Sequence, residues 1–307
     1  MSFFPGPDPV AGDAAACSAL EHLIIPRTSD LGGFEVRRAL PTARRRLVGP
    51  FIFFDRMGPA LFKAGDSIDV RPHPHIGLST VTYLFDGEIK HRDSLGTEMV
   101  IRPGDLNLMT AGRGIVHSER SPENLRGHPH GLSGLQTWLA LPDGQEEIDP
   151  AFVHSTREDL PVFAIDGMQG RVIIGHYEGY RSPVKVPSDT LYTDLMLAPG
   201  ASAPLAADWE ERAVYVLSGE LDVAGDVFGS DRLLVFRPGD AITLKAGAGG
   251  CHLSLFGGAA LGSRRHIWWN FVSSSKERIE QAKEEWRTGR FDIVPGDEKE
   301  FIPLPET

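Results

Sequence analysis

Cysteine is almost missing from this chain: Cys17 and Cys251 are the only two in 307 residues, and they stand far apart. That excludes a disulfide framework and a thiolate metal cluster, and it makes a reducing cytoplasm the expected compartment. Also missing is any uninterrupted apolar run of the ~18 residues that a membrane-spanning helix needs. Residues 1–20 carry neither a basic residue nor a long apolar stretch, which argues against a cleaved secretory signal. Positive charge is in short supply, with 31 Lys and Arg against 42 Asp and Glu and a formal net charge of −11. Non-specific nucleic-acid affinity comes from Lys and Arg neutralising phosphates, so direct nucleic-acid binding is not expected. The run Arg44-Arg45-Arg46 reads as a solvated turn beside a strand.

What is present suits an ordinary globular protein: 41% apolar and 24% charged residues. At roughly 100–200 residues per domain, the length asks for two domains. We expect a loose tail at residues 1–16, a first domain over 17–150 and a second over 151–307. From Phe34 to about Phe271 the chain is a succession of short β-branched and aromatic runs broken by turn residues, such as Ser79-Thr-Val-Thr-Tyr-Leu-Phe85 before Asp86-Gly87. This is the pattern of an all-β sandwich or barrel. Helical periodicity enters only near the end, where Ser274 and Glu277 form a capping box and Ile279, Ala282 and Trp286 recur on one face, with Gly289 placed to stop the helix.

The chain repeats itself. Tyr83-Leu-Phe-Asp-Gly-Glu-Ile89 returns as Tyr215-Val-Leu-Ser-Gly-Glu-Leu221, and Arg102-Pro-Gly-Asp105 returns as Arg237-Pro-Gly-Asp240. The period is too long for a solenoid, so the chain is expected to hold two similar barrels.

The first copy carries a constellation that the second has lost. His73-Pro-His75 precedes a strand, and residues two apart in an extended segment project from the same face. His117-Ser-Glu119 has the same spacing. Pairing of the two segments would bring three imidazoles and a carboxylate to one cavity. That donor set suits Fe, Mn, Co, Ni, Cu or Zn and ill suits Ca or Mg, and four protein ligands leave an octahedral ion with open positions for substrate or dioxygen. Aligned on the repeated turns, Leu205, Ala207 and Ser254 stand for His73, His75 and Glu119, and His252 stands for His117. Gly127-His128-Pro-His130-Gly131 repeats the HxH pattern, but in a stretch that reads as a loop without a second ligand pair. His91 and Asp93 are expected to support the site or lie at the surface rather than ligate. Cys251 reads as a small buried hydrophobe.

His73-Pro-His-Ile-Gly-Leu-Ser-Thr-Val-Thr-Tyr83, Pro103-Gly-Asp-Leu106, Met109-Thr-Ala-Gly-Arg-Gly-Ile-Val-His-Ser-Glu119 and Gly134-Leu-Gln-Thr-Trp138 together resemble the pirin family of the cupin superfamily. The resemblance is strong from Phe34 to Pro142 and weaker in the second copy. It implies two cupin-type β-barrels, a bicupin, with a metal on His73, His75, His117 and Glu119. Iron is the metal the family implies. The resemblance further implies a quercetin 2,3-dioxygenase type of oxidoreductase, opening a flavonol with O2 and releasing carbon monoxide; Glu119, as a metal-bound carboxylate within reach of a coordinated hydroxyl, is the expected base for the enol proton. It equally allows a non-catalytic, redox-sensitive iron-binding regulator acting through a protein partner. Ile76-Gly-Leu-Ser79 departs from the common family pattern, in which an arginine stands at position 76, and so alters the entrance beside the metal.

Overall fold

The computed structural model of the chain describes residues 19–30 and 34–306. The tail expected at residues 1–16, and Cys17, lie outside the described residues. Strands predominate among the described residues, with two described helices, Glu123–Arg126 and Lys276–Arg287. The all-β reading with two cupin-type barrels and a C-terminal helix holds. No helix among the described residues is long and apolar enough to cross a membrane.

The chain divides into two compact units, and the grouping does not follow chain order. One unit collects the described residues up to Ser29, then Arg37–Phe53 and Glu158–Ala260; the other collects the described residues of Asp30–Val36, Phe54–Arg157 and the segment from Leu261 onward. Two pairings account for the placement of the chain ends. Strand Leu20–Ile24 joins Arg232–Phe236 as an edge strand, and the C-terminal helix buries Ile279 and Ala282 against Ile76 and Phe271. The helix expected to close the second barrel thus packs within the unit that holds the first repeat.

In that first-repeat unit, a four-stranded sheet runs in the order Asp69–His75, Ile115–Arg120, Ile89–Asp93, Glu98–Ile101. Another sheet of the unit places Leu106–Thr110, Leu78–Asp86 and His130–Ala140 side by side. Met57, Phe62, Ile68, Leu84, Ile89, Ile101 and Leu132 form a buried cluster there. Gly77 joins the HxH strand to Leu78–Asp86 with φ of +69°, and a Cβ at this position would collide with the carbonyl oxygen of Val272.

The C-terminal helix starts one residue later than expected. Ser275, not Ser274, is the N-cap, and its Oγ accepts from the Arg278 N–H at 3.2 Å. Ser274 is occupied otherwise, its N–H donating to Glu146 Oε2 at 2.7 Å. The apolar stripe is as read, with Ile279 and Ala282 buried and Trp286 packed against them.

The second-repeat unit is built on a nine-stranded sheet, with the main path Leu20–Ile24, Arg232–Phe236, Glu211–Val223, Ile242–Gly258, Thr190–Leu197, Met168–Ile174, Val162–Ile165. Strand Ser202–Leu205 pairs with the first half of Ile242–Gly258. The middle arginine of the expected solvated turn is an anchor here: Arg45 meets Glu211 at 2.6 Å and donates to the Leu47 carbonyl at 2.7 Å.

Candidate metal centre

Strands Asp69–His75 and Ile115–Arg120 pair antiparallel with His73 opposite His117 and His75 opposite Ile115. The spacing of two along the first strand sends both of its imidazoles to the face that His117 enters from the second. His73, His75 and His117 are all buried, and each offers a ring nitrogen within 4.8 Å of the others. Their ring centroids lie 4.4 to 5.0 Å apart. The edge of Trp138, from His130–Ala140, closes on His75 with centroids 5.1 Å apart.

Hydrogen bonds decide which nitrogens face inward. His73 Nδ1 lies 2.9 Å from the Arg71 carbonyl oxygen. A carbonyl only accepts, so Nδ1 carries the proton and Nε2 presents a lone pair. His75 Nε2 and His117 Nε2 face each other at 3.1 Å. Desolvation pushes His73 down to about 4. His75 and His117 fall well below the ordinary histidine value, by burial first and then by the neighbouring imidazoles. Neutral imidazoles converging without a charged partner are what a cation needs and what a packed core does not. The residues therefore fit a divalent ion, and three nitrogens with an oxygen nearby suit a transition metal.

Glu119 shares the strand but stands apart from the three nitrogens. A β-bulge between His117 and Glu119 shifts the register and puts Glu119 opposite Val70, and bulges re-aim a side chain in this way. Its Oε1 accepts from Gln136 Nε2 at 3.4 Å and Thr82 Oγ1 at 3.5 Å. Burial pushes its pKa up, against the lowering influence of His91, Thr82 and Gln136.

His91 and Asp93 are more deeply placed than the sequence suggested. Both are buried, with His91 opposite Glu119 and Asp93 opposite His117 across the strand pair. Their own i, i+2 spacing was a signal that they share a face; which face depends on the register. The HxH at His128 and His130 joins no cluster: His130 opens a strand, stacks on Phe62 with centroids 5.1 Å apart, and bonds to the His128 carbonyl at 2.9 Å. Cys251 is buried, and burial pushes its thiol up to about 12, so it is inert.

The alignment of the second copy needs correcting. Tyr83 pairs with Leu106 and Leu135, while Tyr215 pairs with Leu233 and Ser254. Hence Ser254 corresponds to Leu135, and His252 belongs to the counterpart of strand His130–Ala140. The Arg-Pro-Gly-Asp turns misled because the first precedes strand Leu106–Thr110 and the second follows strand Arg232–Phe236. The pairing that matters is Leu205 with Ile242, the counterpart of His73 with His117. In the second barrel Leu205, Ile242 and Leu244 stand for His73, His117 and Glu119, all within its buried apolar cluster.

Two family models match the chain: the one described as Pirin over residues 33–139 and the one described as Pirin C-terminal cupin domain over residues 192–292. A pirin-like protein of Caulobacter vibrioides is 50% identical over 91% of this chain and 97% of its own length. The pirin of Homo sapiens is 31% identical over 84% of this chain and 88% of its own. A crystal structure of quercetin 2,3-dioxygenase from Acinetobacter baumannii superposes with a TM-score of 0.86 at 34% identity, covering 93% of this chain and 95% of that one.

Proposed function

The chain belongs to the pirin family, and on that premise we propose that it is a metal-dependent dioxygenase that opens a quercetin-like flavonol with O2 and releases carbon monoxide. The observation that carries this reading is the meeting of three buried, neutral imidazoles at one point. The substrate class is carried over from the solved relative named as a quercetin 2,3-dioxygenase. His73, His75 and His117 would hold the ion with Glu119 as fourth ligand. We assign iron(II), while manganese, cobalt, nickel, copper and zinc suit the same donors. When bound, the ion supplies Lewis acidity and redox chemistry with dioxygen.

The protein's own groups prepare the substrate. Glu119 takes the enol proton: its desolvated carboxyl group has a raised proton affinity, and Gln136, itself held by the Thr82 hydroxyl at 2.7 Å, donates to its Oε1. Trp138, edge-on to His75, supplies an aromatic wall beside the site. The cytoplasm is the compartment we assign, from the near-absence of cysteine.

The test is elemental analysis of anaerobically purified protein, followed on the same sample by oxygen uptake with quercetin and by headspace carbon monoxide. Near-stoichiometric metal with turnover is the expected result. Metal without turnover would favour a non-catalytic iron-binding regulator that acts through protein contacts, and protein that takes up no metal would overturn the reading.

A further inference from the structure

We infer that Asp93 and His91 are positioning residues that set the tautomer of His117, forcing it to present a lone pair rather than an N–H to the metal. The inference rests on reading the three imidazoles as a metal centre.

The chain of bonds begins at Asp93, which is 0% exposed. Its Oδ1 accepts the backbone N–H groups of Leu95 at 2.9 Å and Thr97 at 3.1 Å. Those two donors lock the carboxylate in place and leave Oδ2 facing His91 Nε2 at 3.0 Å. A carboxylate oxygen only accepts, so His91 Nε2 carries the proton. With the ring neutral, the state that a cation held by His117 favours, the other nitrogen accepts, and His91 Nδ1 lies 3.4 Å from His117 Nδ1. His117 Nδ1 must therefore donate, and its Nε2, pointing at His75, keeps its lone pair. The His91 ring cannot readily flip to undo this, because it stacks on Phe152 with centroids 4.6 Å apart and planes at 25°.

His73 reaches the same state by a shorter route, through the Arg71 carbonyl. Residues that fix a ligating histidine in this way typically change metal affinity by about 10–100-fold when altered.

Asp93→Asn reverses the polarity without changing the shape. The two backbone N–H groups hold the amide oxygen, which turns its NH2 toward His91 Nε2. His91 must then donate from Nδ1, and His117 is left with an N–H on Nε2. The metal-free fold tolerates either polarity, because the 3.1 Å contact between His117 and His75 accepts a proton from either side. We expect the metal-free variant to melt within a few degrees of wild type and to bind Co(II), by competition with a chelator, about 10–100-fold more weakly. His91→Phe keeps the stacking and removes the relay without reversing it, so it should lose less. Histidine 15N spectra of the metal-free proteins should show the proton on His117 Nδ1 in wild type and on Nε2 in Asp93→Asn.

Equal Co(II) affinity in wild type and Asp93→Asn, or the same protonated nitrogen in both, would overturn the inference and leave the metal centre standing. A wild type that takes up no Co(II) would instead overturn the metal reading, and the 15N spectra would then decide the tautomer on their own.

Discussion

The two barrels descend from one pattern, and the difference between them lies in what fills the same positions. In one, His73 and His117 oppose each other across a strand pair; in the other, Leu205 and Ile242 do. The first interior contains ionisable groups that face one another without a charge, which is costly unless a ligand uses them. The second is closed by apolar side chains including Leu205, Val223, Ile242 and Leu244, so the same positions contribute to stability instead. One copy places imidazoles where the other packs apolar side chains.

The sharpest way to break this comparison is to remove one histidine from each barrel. His117→Ala should lower metal affinity and quercetin-dependent oxygen uptake by more than the ~10–100-fold typical of altering a residue that only supports a ligand. His252→Ala should leave both unchanged, since His252 belongs to the other unit and bonds to Asp194 at 2.6 Å. Metal lost from the His252 variant and kept by His117→Ala would place the metal centre in the second barrel and overturn the comparison.

Next in size is the reverse test. Leu244 is 0% exposed, and truncating a buried leucine costs about 2–5 kcal/mol through lost transfer and an unfilled cavity. Leu244→Ala should therefore lower the urea midpoint strongly while the metal content of the first barrel stays at the wild-type level. Gly77→Ala should cost at least the ~1–3 kcal/mol of a left-handed position, with the clash of its Cβ against the Val272 carbonyl oxygen added. Its distinguishing effect would be weaker metal binding, because the turn sits between His75 and the next strand.

Much of this was written in short motifs. The duplication shows in Tyr83–Ile89 and Tyr215–Leu221, and the ligand set in two pairs spaced by two, because side-chain direction in a strand has period two and needs no knowledge of partners. What the motifs could not supply was register. The Arg-Pro-Gly-Asp turn suits any tight turn, so its recurrence did not guarantee equivalent places, and His252 was matched wrongly. The same limit hid the depth of His91 and Asp93, whose importance comes from lying opposite Glu119 and His117. The exchange of end segments between units was invisible for a related reason: Leu20–Ile24 finds its partner in Arg232–Phe236, and local patterning does not encode the choice among distant partners.

The smallest effect separates the barrels by pH. Beside the HxH strand, Arg120 donates to Asp297 at 2.7 and 2.8 Å and to Asp69 at 3.1 Å, and Arg126 pairs with Asp69 as well. Burial raises the Asp69 carboxyl, but hydrogen bonds from Arg126, Ser67 and Arg120 outweigh it and hold the pKa at about 2 against an ordinary 3.8. A carboxyl depressed in the folded state adds stability above its ordinary value and loses it as pH falls through the lower one. Asp69 is 36% exposed, so solvent screening leaves its contribution at about 1 kcal/mol or less. In the second barrel the equivalent strand pair is tied at its other end, by Arg212, which is 0% exposed and donates to the backbone carbonyls of Ala206, Arg237 and Asp240. Carbonyls do not titrate in this range. Between pH 4 and pH 2, hydrogen exchange corrected for intrinsic rate should therefore lose protection across Asp69–His75 by up to about fivefold more than across Ser202–Leu205, since 1 kcal/mol is about a factor of five. Arg120→Met should shrink that gap, and equal losses in the two strands would mean that these ion pairs do not distinguish the barrels.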